Sequence, residues 1–309
     1  MDRRNKYDWL QDPGIREFLI AGERFYPADA VNFTMAEQRA FYDRYCAHFR
    51  NPRPDGVSAE DVMLGGVPCR HYRKRDAAPA PLMIYLHGGG FVLGSLDSHD
   101  DICAELCDGA AIEVVAVDYR LAPEHPFPAA FQDGWSVLQA VTDRYSQIII
   151  GGDSAGGNLA AALTLKARDA GGPALRGQVL IYPGLGGDLS RGSFVTQASA
   201  PGLSTADVIF YRDTYAGGGS KYAEPLRESD FSGLPPAFLV AAALDPLHDD
   251  CLDYAARLSA AGVAARVREE PLLVHAFLRA RGMSAPARES FDAITAACAS
   301  LAHHGLLPT

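Results

Sequence analysis

The sequence predicts an α/β fold, in which helices flank a mostly parallel central sheet and further helices form a cap. Short apolar runs, which are typical of strands buried on both faces, alternate with amphipathic stretches of roughly 10 to 15 residues. One long segment rich in Gly, Ser and Asp, residues 184–235, interrupts this alternation. An insertion of that length in a compact domain is usually functional, and a lid over a site is one form it takes.

The chain of 309 residues is long enough for one large α/β domain and two added segments. Residues 1–55 are predicted to form N-terminal cap helices. Their clearest helix spans 34–49, where Thr34 and Glu37 have the spacing of a capping box, and the Pro- and Gly-containing stretch 51–56 ends it. The core is assigned to 56–183 and 236–309. Residues 184–235, with one helix over Thr205–Tyr215, are assigned to a cap insertion.

The core elements follow from the position of each apolar run. Strands are predicted at residues 68–75, 82–86, 114–117, 148–150, 179–182, 237–242 and 264–269. Helices are predicted at residues 99–109, 129–142, 159–170, 249–261 and 287–301. Because strands and helices alternate, we expect βαβ units and a parallel sheet covered on both faces.

Composition excludes several classes of protein. The net charge of −10 disfavours a nucleic-acid partner, because an acidic protein repels a phosphate backbone. Six cysteines in a chain of this length do not indicate a disulfide scaffold. The charged N-terminus is not followed by the apolar region of a secretory signal, and no apolar run reaches the roughly 18 residues of a transmembrane helix. We therefore expect a cytoplasmic location, no membrane partner and no cofactor.

The sharpest motif is the G-x-S-x-G pattern over residues 152–156, centred on Ser154. A strand is predicted directly before it and a helix directly after it, which is the setting of a nucleophilic serine on a strained turn. The position also lies near a helix N-terminus, where the dipole favours developing negative charge. The competing interpretation is a Gly-rich turn whose serine only caps the helix. The strand–turn–helix context favours Ser154 as a nucleophile.

A second glycine-rich turn, His87-Gly88-Gly89-Gly90, follows the strand 82–86. Glycines let the backbone present N–H groups to a developing oxyanion with no Cβ in the way. A phosphate loop is disfavoured, since neither the Walker nor the Rossmann pattern is matched. The residue after the nucleophile, Ala155, would supply one further N–H. His87 is interpreted as a hydrogen-bonding anchor of the loop and not as a base.

The base and the acid are predicted from chain order, since this arrangement places the acid and then the histidine after the serine. The histidines after Ser154 are His248, His275, His303 and His304. Only His275 lies in an apolar loop directly after a strand, where sites in open α/β sheets gather. Asp245, directly after the strand 237–242, is the predicted acid and Asp249 the alternative. Asp249 and Asp250 are interpreted as helix-start acids.

Taken together, these motifs resemble those of the hormone-sensitive-lipase-like family of α/β-hydrolases, the bacterial family IV esterases. The resemblance rests on residues 87–91, 118–129, 152–157 and 245–247 and on His275. It implies a serine carboxylesterase that acts on short-chain acyl esters through an acyl-enzyme, with Gly88, Gly89 and Ala155 as the oxyanion hole. The family usually has Gly where this chain has Ala276, and other residues at His248 and Asp250.

Two alternatives remain within the same fold: an amidase or deacetylase, and a non-catalytic ligand-binding relative. The substrate pocket is predicted to include Phe18, Phe33, Phe210 and Tyr211. A homodimer could form through the last strand, although Arg266, Arg268, Glu269 and Glu270 charge it heavily.

Other chemistry-bearing clusters are interpreted structurally. His99, Cys103 and Cys107 share one helix face, but no fourth ligand has suitable spacing, so a core face is favoured over a metal site. The basic run 70–75 is interpreted as a solvated edge strand. Asp97, Asp100 and Asp101 are interpreted as helix-start acids, because no calcium-binding loop surrounds them.

Overall fold

The computed structural model describes residues 5–27, 30, 33–75, 78 and 80–308. Of the predicted segments, residues 1–4, 28, 29, 31 and 32 of the N-terminal cap and residues 76, 77, 79 and 309 of the core lie outside the described residues. The described part of the chain forms one eight-stranded sheet. Its strands are β1 Val57–Leu64, β2 Val67–Lys74, β3 Leu82–Leu86, β4 Glu113–Val117, β5 Ile148–Asp153, β6 Gly177–Ile181, β7 Ala237–Leu244 and β8 Ala265–Val274.

The helices cover both faces of the sheet and the carboxyl ends of its strands. In the described residues they are α1 Pro13–Gly22, α2 Met35–His48, α3 Asp100–Ala110, α4 Ala129–Val141, α5 Ala155–Asp169, α6 Ser193–Thr196, α7 Thr205–Tyr215, α8 His248–Ala260 and α9 Ala285–His304. Short 3-10 turns occupy Asn5–Tyr7, Asp97–His99, Pro225–Arg227 and Phe277–Ala280. None of the helices in these ranges is long and apolar enough to cross a membrane.

The sheet is mostly parallel, as the alternating sequence predicts. The strand order is β1-β2-β4-β3-β5-β6-β7-β8, with antiparallel pairing at β1–β2 and β2–β4 and parallel pairing elsewhere. Strands β3 and β6 are buried along their whole length, because helices pack on both faces. Two apolar clusters form the core, one on each face of the sheet.

Strand β1, helix α1 and the four-residue helix α6 were not predicted from the sequence. Strand β1 alternates polar and partly buried residues, so it lacks the apolar run that marks the inner strands. Helix α1 begins with signals that are visible in the sequence, since Asp12 caps it and Pro13 occupies its first turn. The edge-strand interpretation of the basic run is wrong, because β2 pairs with β1 on one side and β4 on the other. Its Arg70 forms ion pairs with carboxylates on neighbouring elements.

The segment 184–235 is tied to the core by buried polar contacts. Asn158, one turn into α5, donates from its side-chain amide to the backbone oxygens of Gly184 at 2.7 Å and Ala223 at 2.9 Å. At the other end of α5, Asp169 pairs with Lys221 at 2.8 Å and Arg168 pairs with Glu228 at 2.7 Å. These contacts hold the insertion against the helix that follows Ser154.

Candidate active site

Ser154 occupies the turn between β5 and α5 in a strained backbone conformation. Its φ is 53°, in the left-handed region that residues with a side chain rarely adopt. A Cβ at Gly152 would lie 2.1 Å from the backbone oxygen of Leu86, and one at Gly156 would lie 1.9 Å from the same atom. Both glycines are therefore required for strand and helix to approach this closely. The geometry is that of the predicted nucleophile turn.

Ser154, His275 and Asp245 form one hydrogen-bonded chain. His275 Nε2 lies 2.9 Å from Ser154 Oγ, and His275 Nδ1 lies 2.6 Å from Asp245 Oδ2. Asp245 is fully buried, and its other oxygen accepts the backbone N–H of Leu247 at 2.9 Å. The residues come from the ends of β5, β7 and β8, which share one edge of the sheet because they run parallel. The structure thus brings together the three side chains that the sequence singled out.

The acids beside Asp245 take other partners. Asp249 accepts the backbone N–H of Ser193 at 2.9 Å and contacts His248, while Asp250 accepts the backbone N–H of Leu185 at 2.5 Å. Both lie in the first turn of α8, yet their carboxylates bind the insertion and do not cap the helix. Burial raises the pKa of Asp250 to about 6.

The oxyanion prediction needs one correction. The N–H of Gly88 donates to Asp153 Oδ1 at 3.0 Å, so it is unavailable to a ligand, and Gly88 does not line the cavity at Ser154. Gly89, Gly90 and Ala155 do line it. Within the described residues, none of these three backbone N–H groups donates to a protein acceptor. The glycine pair that faces Ser154 is therefore shifted by one residue from the predicted pair.

His87 anchors the glycine loop, as predicted. Its Nδ1 lies 2.8 Å from the backbone oxygen of Gly88, and its ring stacks on Tyr119 with 4.3 Å between centroids. The Tyr119 hydroxyl also donates to the backbone oxygen of His87 at 2.6 Å. Burial lowers the pKa of His87 to about 3, which keeps the ring neutral.

The helix face with His99, Cys103 and Cys107 is buried in the core, as favoured from the sequence. Burial raises the pKa of both thiols, which leaves them protonated. In the ranges that the structure describes, no group of His, Cys, Asp or Glu side chains has the arrangement of a metal site. His99 instead contacts Ser98 and Asp153.

A cavity of about 1300 Å³ opens above Ser154 between the core and the two added segments. Of the four predicted pocket residues, Phe18 and Tyr211 line it. Phe33 and Phe210 lie outside the lining, so the prediction is corrected for them. Phe33 is 37% exposed and packs edge-on against Phe41, and Phe210 packs against Tyr211. A helical aromatic can face solvent, core or cavity, and sequence spacing does not separate these cases.

Some of the charged side chains around the cavity pair with other charged groups. Arg191 pairs with Asp253 at 2.7 Å, and Arg212 lies 3.9 Å from the buried Asp250. Lys6 pairs with Glu23 at 2.8 Å. These three cationic side chains therefore already have an acidic partner.

Sequence reasoning missed the roles of Gly90, Asn158 and Asp153. Gly90 belongs to the predicted glycine turn, so its signal was present and only the register was misassigned. Asp153 and Asn158 flank Ser154 in the chain, but their partners come from distant segments, and no local spacing reveals those contacts.

Comparison with known proteins agrees with this geometry. The family described as alpha/beta hydrolase fold matches residues 83–279. The chain is 40% identical to Esterase LipI of Mycobacterium tuberculosis over 227 residues, which are 70% of this chain and 71% of that protein. It is 42% identical to Carboxylesterase NlhH of the same species over 221 residues, 64% of this chain and 66% of that protein.

Among solved structures, the chain is similar to an esterase from the bacterial hormone-sensitive lipase family, with a TM-score of 0.87 and 27% identity. The match covers 94% of this chain and 99% of that one. The resemblance stated from the motifs is thereby confirmed. The chain belongs to the alpha/beta hydrolase family.

Proposed function

We propose that the protein is a serine carboxylesterase, with Ser154 as nucleophile, His275 as general base and acid, and Asp245 as the group that orients the imidazole. The single observation that supports this most is the hydrogen-bonded chain from Asp245 through His275 to Ser154, which opens into a cavity. The relatives named esterase and carboxylesterase point the same way.

The reaction follows from the direction of the hydrogen bonds. His275 Nε2 takes the proton of Ser154, and Oγ attacks the ester carbonyl. The resulting imidazolium is stabilised by the buried carboxylate of Asp245 and then donates its proton to the leaving alcohol. Water enters the vacated space, loses a proton to His275 and attacks the acyl-enzyme. Release of the carboxylic acid restores the serine.

We assign the oxyanion hole to the backbone N–H groups of Gly89, Gly90 and Ala155. All three residues line the cavity beside Ser154, and their N–H groups are free of protein acceptors in the described part of the chain. Fixed donors of this kind stabilise the tetrahedral intermediate without reorganisation at the moment of reaction.

We propose neutral esters with short acyl chains as substrates. Lys6 and Arg191 at the cavity are already paired with carboxylates, so an anionic ester would lose hydration and gain little from these two side chains. We also propose a cytoplasmic location and a homodimer in which β8 pairs with β8 of a second chain. Sedimentation of the purified protein tests the second.

Hydrolysis of p-nitrophenyl esters from acetate to decanoate tests the proposal. We expect turnover that is fastest with short acyl chains, and stoichiometric labelling of Ser154 by a fluorophosphonate. The matched p-nitroanilides separate an esterase from an amidase, since the latter cleaves them at comparable rates. Labelling without turnover would support the ligand-binding alternative, and absence of both would contradict the proposal.

A further inference from the structure

A second set of polar contacts reaches the glycine loop through the buried Asp153. Asp153 is buried directly before Ser154 and accepts hydrogen bonds from the Tyr85 hydroxyl at 2.7 Å and from Gly88 N–H at 3.0 Å. A Cβ on Gly88 would lie 2.4 Å from Asp153 Oδ2, so carboxylate and loop are in direct contact. The position of Asp153 therefore sets the position of the loop whose next two residues face Ser154.

The proton arrangement of His99 can be worked out from its neighbour. The Ser98 hydroxyl donates to the backbone oxygen of Ser95 at 2.7 Å and accepts the Ser95 N–H at 2.9 Å. Its one proton is thus used, and its contact with His99 Nδ1 at 2.8 Å requires Nδ1 to donate. Burial lowers the pKa of His99, so the neutral ring carries a bare Nε2.

Arg279 supplies the donor for that bare nitrogen. Its Nη2 lies 3.2 Å from His99 Nε2 and donates to the Tyr42 hydroxyl at 3.2 Å, while Nη1 donates to the backbone oxygen of Ser98 at 2.8 Å. The guanidinium is buried, and these three hydrogen-bond partners are neutral groups.

His99 Nε2 is also 3.3 Å from the carboxylate of Asp153, but a bare nitrogen has no proton to donate, so this contact is not a hydrogen bond. A buried cation and a buried anion thus face the same ring nitrogen, and each charge is costly unless it is compensated. Arg279 lies four residues after His275, in the turn Phe277–Ala280 that continues the histidine loop. One short segment therefore carries both His275, the proposed base, and Arg279, which contacts His99.

We propose that Arg279 is a positioning residue, whose buried charge attracts the Asp153 carboxylate across the His99 ring and so holds Gly89 and Gly90 in register with the oxyanion. The inference rests on the proposed esterase function. Loss of the Arg279 side chain should affect the transition state more than ground-state binding, because Arg279 lies outside the cavity lining and contacts it through Tyr42.

The test compares Arg279→Met with Arg281→Met. Arg281 is a matched control, since it is buried on the same segment but pairs with Asp101 and Glu105 of α3, away from the glycine loop. Each variant is titrated with a fluorophosphonate so that kcat refers to active sites. A trifluoromethyl ketone, which forms a tetrahedral oxyanion on Ser154, measures affinity for a transition-state mimic.

We expect Arg279→Met to lower kcat roughly 10- to 100-fold and to weaken the ketone by a similar factor, with KM for p-nitrophenyl acetate changed less than about threefold. Arg279→Lys, which keeps the charge, should recover part of both losses. Arg281→Met should lower the melting temperature and keep kcat per active site within about twofold.

A kcat for Arg279→Met within about twofold of the parent, or an equal loss in Arg281→Met, would overturn the inference. If either Met variant does not fold, Arg279→Gln and Arg281→Gln, which also remove the charge, decide by the same criterion. A parent protein that hydrolyses no ester would instead contradict the proposed function, so the two failures are distinguishable.

Discussion

Two serine–histidine–aspartate sets meet at the turn that holds Ser154, and only one of them has the geometry for nucleophilic chemistry. In the first, the imidazole of His275 lies between Asp245 and Ser154. In the second, the imidazole of His99 lies between Asp153 and Ser98, with contacts of 3.3 and 2.8 Å. The residue types are identical, so the difference must come from their surroundings.

Three features separate the two sets. The ring is reversed in the second, where Nδ1 donates to the serine and cannot take its proton. Ser154 has a positive φ on a turn, whereas Ser98 lies within a buried 3-10 turn. Ser154 and His275 line the cavity, and neither Ser98 nor His99 does. The function therefore depends on the backbone conformation of the serine, the direction of its hydrogen bond with histidine and its access to the cavity. Residue identity alone does not decide it.

The largest expected effect comes from removing the reactive serine. Ser154→Ala should lower kcat on p-nitrophenyl acetate by on the order of 10⁶-fold, because the acyl-enzyme can no longer form. The measurement is the initial rate at saturating ester, with circular dichroism as the control for folding. Retention of most of the activity by the variant would show that the nucleophile lies elsewhere.

The two aspartates should differ in what they support. Asp245→Asn should lower kcat about 10⁴-fold, because an amide favours the wrong tautomer of His275. Asp153→Asn should cost roughly 10- to 100-fold, since it loosens the glycine loop but leaves the base intact. Rates per titrated active site test the order. Equal losses in both variants would mean that Asp153 acts on the imidazole and not on the loop.

These same residues show how much of the site can be predicted from the sequence. Ser154, Asp245 and His275 were predictable because each follows a recognisable strand, and chain order then assigns their roles. Gly88 was wrongly preferred to Gly90, since the N–H that faces Ser154 depends on a contact with Asp153 from a distant strand. Arg279 gave no signal, because its partners come from two other elements of the fold, α2 and the turn Asp97–His99.

The buried ring of His87 should make the free energy of unfolding depend on pH. The pKa of His87 is lowered to about 3 in the folded protein, while an unfolded histidine titrates near 6.5. Between these values the unfolded chain binds a proton that the folded ring does not, so the free energy of unfolding falls as the pH decreases below about 6.5. From about pH 8 to pH 5 this one group should cost roughly 2 kcal/mol.

Urea unfolding at both pH values measures that change, and His87→Asn is the comparison. The variant is expected to be less stable at either pH, because the ring packs against Tyr119 and His99. The difference between the two pH values should nevertheless shrink by about 2 kcal/mol. If the parent and the variant show the same difference between the two pH values, His87 takes up its proton in the folded protein as it does in the unfolded chain.

The smallest effect on turnover should come from the second serine. Ser98→Ala removes the acceptor of His99 Nδ1–H and leaves that donor buried, which should lower the free energy of unfolding by about 1–3 kcal/mol. Ser98 Oγ already donates its proton to the backbone oxygen of Ser95, so it cannot act as a nucleophile with His99 as base. The substitution should therefore lower kcat by less than about tenfold, through a small shift of the glycine loop. Fluorophosphonate labelling followed by peptide mapping provides the direct readout. Label on Ser154 in both parent and variant would support the contrast between the two sets, whereas label on Ser98 in the parent would reverse it.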